Sequence, residues 1–321
     1  MSALRVSLTA WFLSLCAAAA AQTDYPNRPI QMIVPLSTGT TVDILARMYA
    51  DKLTQRLAQS VLVQNRPGAG GTIAAQSVAK AAPDGYTLLM VNTQHSINPA
   101  LYASLPYDTL RDFSGVALVA ESPALVYVNP QLGVRTLAEF IALAKREPGK
   151  INYGSAGVGT ATHLGGAYFA GRAGVDLVHV PYKITSDLVA DILTGRIQAT
   201  FSPIAFLLPQ VREGRLLALA VTSRERVAVL PAVPTVSESG IPGYESSTWY
   251  GFLAPARTPR SILDQLARAL RQVSEEKETR DKFSAQGIVP REVALEAFDA
   301  YIRADVEKLA PLIKSIGASA N

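Results

Sequence analysis

Five short stretches of hydroxyl and glycine residues hold most of the chemistry this chain can offer. They read LSTGTT (36–41), TQHSIN (93–98), SAGVGTAT (155–162), PYKITS (181–186) and SPI (202–204). Each follows an apolar, strand-like run and precedes a helical pattern. A connecting turn needs one or two such residues, so the surplus at Ser37, Thr38, Gly39, Thr40 and Thr41 points to a bound group. The first N–H groups of a helix lack intrahelical partners and face the positive end of its dipole, which favours an anion. Small residues let the backbone approach that anion closely. Thr40 and Asp43 also have the spacing of a helix cap, so Asp43 is assigned to its own helix end, while Thr40 can cap and still line a site. Ser155, Gly157 and Gly159 read either as a plain turn or as part of the same site, and the site reading is preferred.

The residues that other chemistries need are missing. The only cysteine is Cys16, and His95, His163 and His179 lack metal-ligand spacing, so no metal site and no cofactor is expected. In NYGSAG, Ser155 directly follows Gly154, which breaks the G-x-S-x-G pattern of a nucleophile elbow. NRPGAGGT (65–72) lacks the G-K-[ST] ending of a phosphate loop and reads as a glycine-rich helix entry. His163 and His179 read as packed residues, Arg66 and Lys183 as surface residues. Trp249 and Tyr250 read equally as hinge packing and as ligand stacking.

The elements that must position these loops alternate. Strand-like runs occupy 30–34, 61–65, 86–92, 115–120, 125–129, 151–154, 176–180, 197–201, 216–222 and 250–254. Helical patterns lie between them, the first with Val42, Leu45, Tyr49, Leu53 and Leu57 on one face. The chain after Pro259 reads as almost entirely helical. This alternation implies an α/β fold of mostly parallel sheets flanked by helices, with the five loops gathered at the carboxyl ends of the strands, where ligands bind. The rhythm breaks at ESPA (121–124) and at GIPGYESSTW (240–249). Two breaks imply a chain that leaves a first domain near residue 122 and returns near 247.

Composition narrows the class. The 321 residues are 49% hydrophobic and 17% charged, which is globular, and the length allows two domains. A net charge of +4 without a basic run of five residues argues against nucleic acid as a partner. Residues 1–21 combine Arg5, an apolar stretch from Leu8 to Leu15 and the small residues Ala19 to Ala21. That layout predicts a cleaved signal peptide rather than a membrane anchor, and Leu15 before Cys16 argues against lipidation. An exported chain without a disulfide suggests the periplasm.

The motifs VDILAR (42–47), NRPGAGGTIAAQ (65–76), INPALY (97–102), LPYDTLRDF (105–113), INYGSAGVGT (151–160), HVPYK (179–183), LALAVTSRER (217–226), LPAVPTVSESG (230–240) and GFLAPARTP (251–259) occur together. In them the chain resembles the substrate-binding proteins of tripartite tricarboxylate transporters, the Bug receptors. The resemblance implies a two-domain periplasmic-binding-protein fold of the type II-like, venus-flytrap kind. Domain 1 would comprise 22–121 and 248–321, domain 2 would comprise 122–247, and the cleft between them would close on a small organic carboxylate. Carried over, the ligand contacts fall on Ser37, Thr38, Gly39, Thr40 and Thr41, on Thr93 and Gln94, on Ser155, Ala156, Gly157, Gly159 and Thr160, and near Tyr182 and Ser202. The chain departs from the family at Ser37–Thr40, where Pro-Ala-Gly-Gly is usual, at Ile184, where Gly is usual, and at Ser202, where Asp is frequent. Implied partners are the small and large multi-span transporter subunits, with a monomeric receptor and no catalysis. A receptor presenting its closed form to a membrane sensor kinase is the second reading, and a hydrolase or lyase on carboxylates the third.

Overall fold

The computed structural model describes residues 25–320. The expected export segment, residues 1–21, lies outside the described residues. Ten strands are named β1 (Ile30–Val34), β2 (Val61–Asn65), β3 (Thr87–Asn92), β4 (Phe113–Val128), β5 (Ile151–Ser155), β6 (Leu177–Pro181), β7 (Ala199–Pro203), β8 (Leu217–Val221), β9 (Ser247–Pro255) and β10 (Val289–Ala294). The helices are α1 (Thr41–Leu57), α2 (Thr72–Ala79), α3 (Gln94–Leu101), α4 (Leu137–Arg146), α5 (Ala161–Ala173), α6 (Thr185–Thr194), α7 (Ile204–Arg212), α8 (Arg260–Glu275), α9 (Lys277–Ala285) and α10 (Glu296–Ser315).

The strand order is β2-β1-β3-β9-β4-β7-β5-β6, with β10 and β8 also paired to β4. The outer trios β2-β1-β3 and β7-β5-β6 are parallel, as strand–helix alternation requires. The members between them, β9 and β4, pair antiparallel, and these are the two strands at the breaks in the rhythm. The two strand runs expected at 115–120 and 125–129 form one strand, β4, buried over nearly all of its 16 residues. Its first part pairs with β9 and β10, and from Ala124 onward it pairs with β7 and β8. Pro123, which has no N–H to donate, sits where β4 changes neighbours and so costs the ladder little.

Apolar clusters cover both faces of each half. Val42, Leu45, Tyr49 and Leu53 of α1 pack with Met32, Phe252 and Leu270, while Trp249 and Phe298 lie in the cluster around Leu89 and Leu253. In the second half, Phe140, Phe169 and Phe201 fill one cluster and Leu188, Ile192 and Leu207 another. The stretch after Pro259 is not all helix. Strand β10 (VPREVA) is largely solvent-exposed, so it carries no apolar alternation that a sequence pattern would reveal.

Gly251 of β9 lies where a Cβ would strike the Phe298 ring and come within 2.8 Å of the Ala117 carbonyl. Gly251→Val should therefore lower the unfolding free energy by about 3 kcal/mol. Gly171, within α5, has nothing within 4 Å of an added Cβ. Gly171→Ala should be neutral or stabilising by up to about 1 kcal/mol. Urea unfolding of both variants checks the pair. Equal effects would contradict the packing.

Candidate ligand-binding cleft

The first loop is organised around Asp43. The Asp43 N–H donates to Thr40 Oγ1 at 3.4 Å, and the Gly39 N–H donates to Asp43 Oδ2 at 2.9 Å. Thr40 Oγ1 donates in turn to the Ser37 carbonyl. Arg47 and Asn65 complete the shell of the carboxylate. Burial pushes the Asp43 carboxyl up, but the bonds from Arg47, Gly39 and Asn65 outweigh it and hold the group below the usual carboxylate range. Asp43 is thus committed to the start of α1. Ser37, Thr38 and Gly39 are exposed, and Gly39 adopts φ +84°. Thr41 bonds the hydroxyl of Tyr250, whose burial raises its pKa.

The loop after β5 is closed on itself. Ser155 is fully buried, and its Oγ lies 2.6 Å from His179 Nε2. The Gly157 N–H donates to Ser155 Oγ, the Ala156 N–H to Thr162 Oγ1, and the Gly159 N–H to His163 Nδ1. Thr160 caps α5 by accepting from the His163 N–H, and its hydroxyl donates to the Gly157 carbonyl. The rings of His163 and His179 stack at 3.7 Å. Two histidines that are separate in sequence therefore brace one loop. The amides of Ala156, Gly157 and Gly159, expected to face a ligand, are all bonded within the loop or to its helix.

The remaining expected residues are placed as follows. Thr93 is buried and accepts the Trp249 N–H, which ties the start of α3 to β9. The Gln94 side-chain amide donates to Asn98. The Tyr182 hydroxyl donates to Asp191 at 2.8 Å, and burial and that bond push its pKa up to about 12. Ser202 belongs to β7 and not to a loop. It is 1% exposed and shares a hydrogen bond with Thr200. Ile184 is 59% exposed. Trp249 is a packing residue: it is buried, stands edge-on against Phe298, and its indole N–H donates to Asp305 at 2.7 Å.

A cavity of about 120 Å³ lies over the crossing strands. Its floor is Ala124, Thr222 and Ser246 to Thr248. Thr93 and Ile97 form one wall, Ala161, Thr162, Leu164 and Tyr168 the opposite wall, and Asp305, Lys308, Leu309 and Leu312 of α10 a third. Of the expected residues it contains Thr93 and the chain neighbours of Thr160 and Ser202, but none of residues 37–41. Thr222 stitches the floor: its hydroxyl donates to the Ser246 carbonyl, and the Ala124 N–H donates to it. Thr222, Asp305 and Lys308 were missed by sequence reasoning. Only LALAVT pointed to Thr222, and the α10 pair looks like any amphipathic helix surface. Next to the cavity, Ile97 and Leu101 pack with Leu164, Ile313 and Ala318, and Leu101 leaves no room for a Cβ at Gly159. A more open groove of about 650 Å³ holds Arg224, Arg226 and Arg291, but these pair with Glu245, Glu238 and Glu121. Among the described residues no group of three or more His, Cys, Asp or Glu is placed to hold a metal.

Residues 45–318 match the sequence profile of the tripartite tricarboxylate transporter family receptors. The chain belongs to that family. BugT of Bordetella pertussis is 35% identical over 296 residues, which cover 92% of this chain and 91% of BugT. The structure of R. palustris Rpa4515 with adipate aligns at a TM-score of 0.81 and 31% identity, over 91% of this chain and 98% of that one. The periplasmic binding protein BugD aligns at 0.78 and 32% identity, over 92% and 100%. MatC from Rhodopseudomonas palustris with bound malate aligns at 0.77 and 28% identity, over 90% and 100%. The α/β architecture described above is therefore the two-domain periplasmic binding fold, and the family is one of solute receptors. Among the described residues no helix is long and apolar enough to cross a membrane.

Burial lowers the pKa of His95 to about 4, and burial together with the neighbouring His179 does the same for His163. Both folded values lie below the unfolded value of about 6.5, so the unfolded chain binds more protons between those limits. The stability that these groups contribute is complete above about pH 6.5 and is lost as the pH falls towards 4, by about 3 kcal/mol for His95 alone. NMR titration of the imidazoles checks this: His95 and His163 should remain neutral at pH 5.5. Midpoints near 6.5 would contradict it.

Proposed function

We propose that the protein is a periplasmic receptor that captures a small organic carboxylate between two lobes and delivers it to a tripartite membrane transporter. The observation that carries this reading is the cavity over β4 and β9, with walls from both sides of the crossing and a hydroxyl-rich floor. The lobes we assign are 22–121 with 248–321, and 122–247, with the crossing strands as the hinge. The adipate and malate bound by the relatives Rpa4515 and MatC support a carboxylate as ligand. Charge-assisted hydrogen bonds contribute roughly 1.5–3 kcal/mol each. Four or five, less the cost of association, reach about −8 kcal/mol, or roughly micromolar affinity.

We read the protein as a binder and not an enzyme. Ser155 and His179 make the contact of a nucleophile and a base, yet Ser155 is fully buried and bonded to both the amide and the carbonyl of Gly157. That pair braces the loop.

Protein purified from the periplasm should release a small carboxylic acid on denaturation, identified by mass spectrometry. Calorimetry with that acid should give micromolar affinity and one site. Release of no acid, together with no binding at millimolar concentration across mono-, di- and tricarboxylates, would overturn the receptor reading. Turnover of the acid would restore the enzyme.

A further inference from the structure

We propose that Leu101 is a clasp between the two lobes, and that residues 317–320 form a strap that positions it. This rests on the receptor reading above for its two lobes. Leu101 ends α3 in the first lobe, and Gly159 stands in the loop after β5 in the second. A Cβ at Gly159 would come within 2.5 Å of Leu101 Cδ1 and 2.7 Å of its Cδ2, so the leucine branch rests on bare backbone. Gly159 is buried, although Ala156 and Val158 beside it are exposed. Its φ of +74° suits glycine, which here serves both the turn and the close approach.

The strap begins where α10 ends. The Gly317 N–H donates to the Lys314 carbonyl and the Ala318 N–H to the Ile313 carbonyl, with Gly317 at φ +62°. Ala318 and Ile313 also share one apolar cluster, which completes a Schellman motif. That motif turns the chain back towards α3. There the Ala320 N–H donates to the Leu101 carbonyl at 2.9 Å, and Ala320 pairs with Tyr102 in a parallel bridge. The last carbonyls of a helix have no intrahelical partner, so this bond fixes the end of α3 and with it the seat of Leu101. Asn98 Nδ2, which donates to the Gly70 carbonyl, ties the same helix on another side.

The clasp has apolar backing from both lobes. Ile97 and Leu101 of α3, Ile313 of α10 and Ala318 of the strap pack with Leu164 of α5, and all five are buried. Separation of the lobes parts Leu101 from Gly159 and Leu164 and brings water to it, so burial of this leucine favours the closed form. The closed form is therefore populated before any ligand binds. A ligand that prefers the closed form gains affinity in proportion to that population. The strap touches neither the loop after β5 nor the cavity floor, and it acts on closure through the Leu101 carbonyl.

Small-angle X-ray scattering of the ligand-stripped protein, with calorimetry against adipate and malate, tests the clasp. Leu101→Ala and Ala320→Pro, which lacks the strap N–H, should each enlarge the ligand-free radius of gyration. Each should also weaken whichever acid the wild type binds by about tenfold. Ala320→Gly keeps the N–H and should match the wild type in both readouts. Gly159→Ala sets a methyl against the leucine branch and should open the lobes. Adding Leu101→Ala to it should restore part of the loss, because the branch that meets the methyl is gone. A cooperative thermal transition in each variant verifies that it is folded. Unchanged radii in Leu101→Ala and Gly159→Ala would overturn the clasp whether or not an acid binds. Additive losses in the double variant would overturn it too, and wild-type behaviour of Ala320→Pro would overturn the strap. These results leave the receptor reading intact. Larger variant radii in a protein that binds no carboxylate would uphold the clasp and overturn the receptor.

Discussion

The antiparallel pairing of β4 with β9 is the constraint on which the rest of the structure depends. Its register runs from Phe113 opposite Pro255 to Pro123 opposite Ser247, and β4 then continues to Val128 among β7 and β8. A strand that belongs to both halves must be apolar through most of its length, and it is. Glu121 is met by Arg291 and Tyr301, and the backbone at Ala124 is met by Thr222. The cavity floor is this crossing, and Thr93 and Asp305 are positioned by their bonds to Trp249 on β9. Loss of the register would displace the floor and two walls together.

The loop after β5 is not a cradle of free backbone amides. The loop after β5 spends its amides on Ser155, Thr162 and His163, and a stacked imidazole pair holds both ends. That arrangement makes the loop a rigid wall. Hydroxyl residues Thr93, Thr162, Thr222 and Thr248 line the neighbouring cavity, and beside it Ile97, Leu101, Leu164 and Ile313 pack in one apolar cluster.

Much of the fold was legible in the sequence because local periodicity carried it. The buried stripe of α1, its start at Thr40 and Asp43, and the parallel trios all follow from patterns within about 20 residues. Features that depend on distant partners were not legible. ESPA reads as a turn because Glu121, Ser122 and Pro123 are turn-like residues, and only pairing with β9 and β10 makes them strand. Strand β10 is exposed and charged, so periodicity is silent there. The Ser155–His179–His163 assembly joins a strand end, a neighbouring strand and a helix, and no spacing within one segment encodes it. The cavity takes Thr93 and chain neighbours of Thr160 and Ser202 from the expected loops, while its wall from α10 had no signal in any loop pattern.

In the proposed mechanism, two lobes joined through β4 and β9 close on a small acid. Small-angle X-ray scattering of ligand-stripped protein, before and after addition of the acid it releases on denaturation, reads that closure. Closure gives a smaller radius of gyration with saturating acid and a return to the larger value on its removal. An unchanged radius at saturation, with binding verified in the same sample, would contradict it.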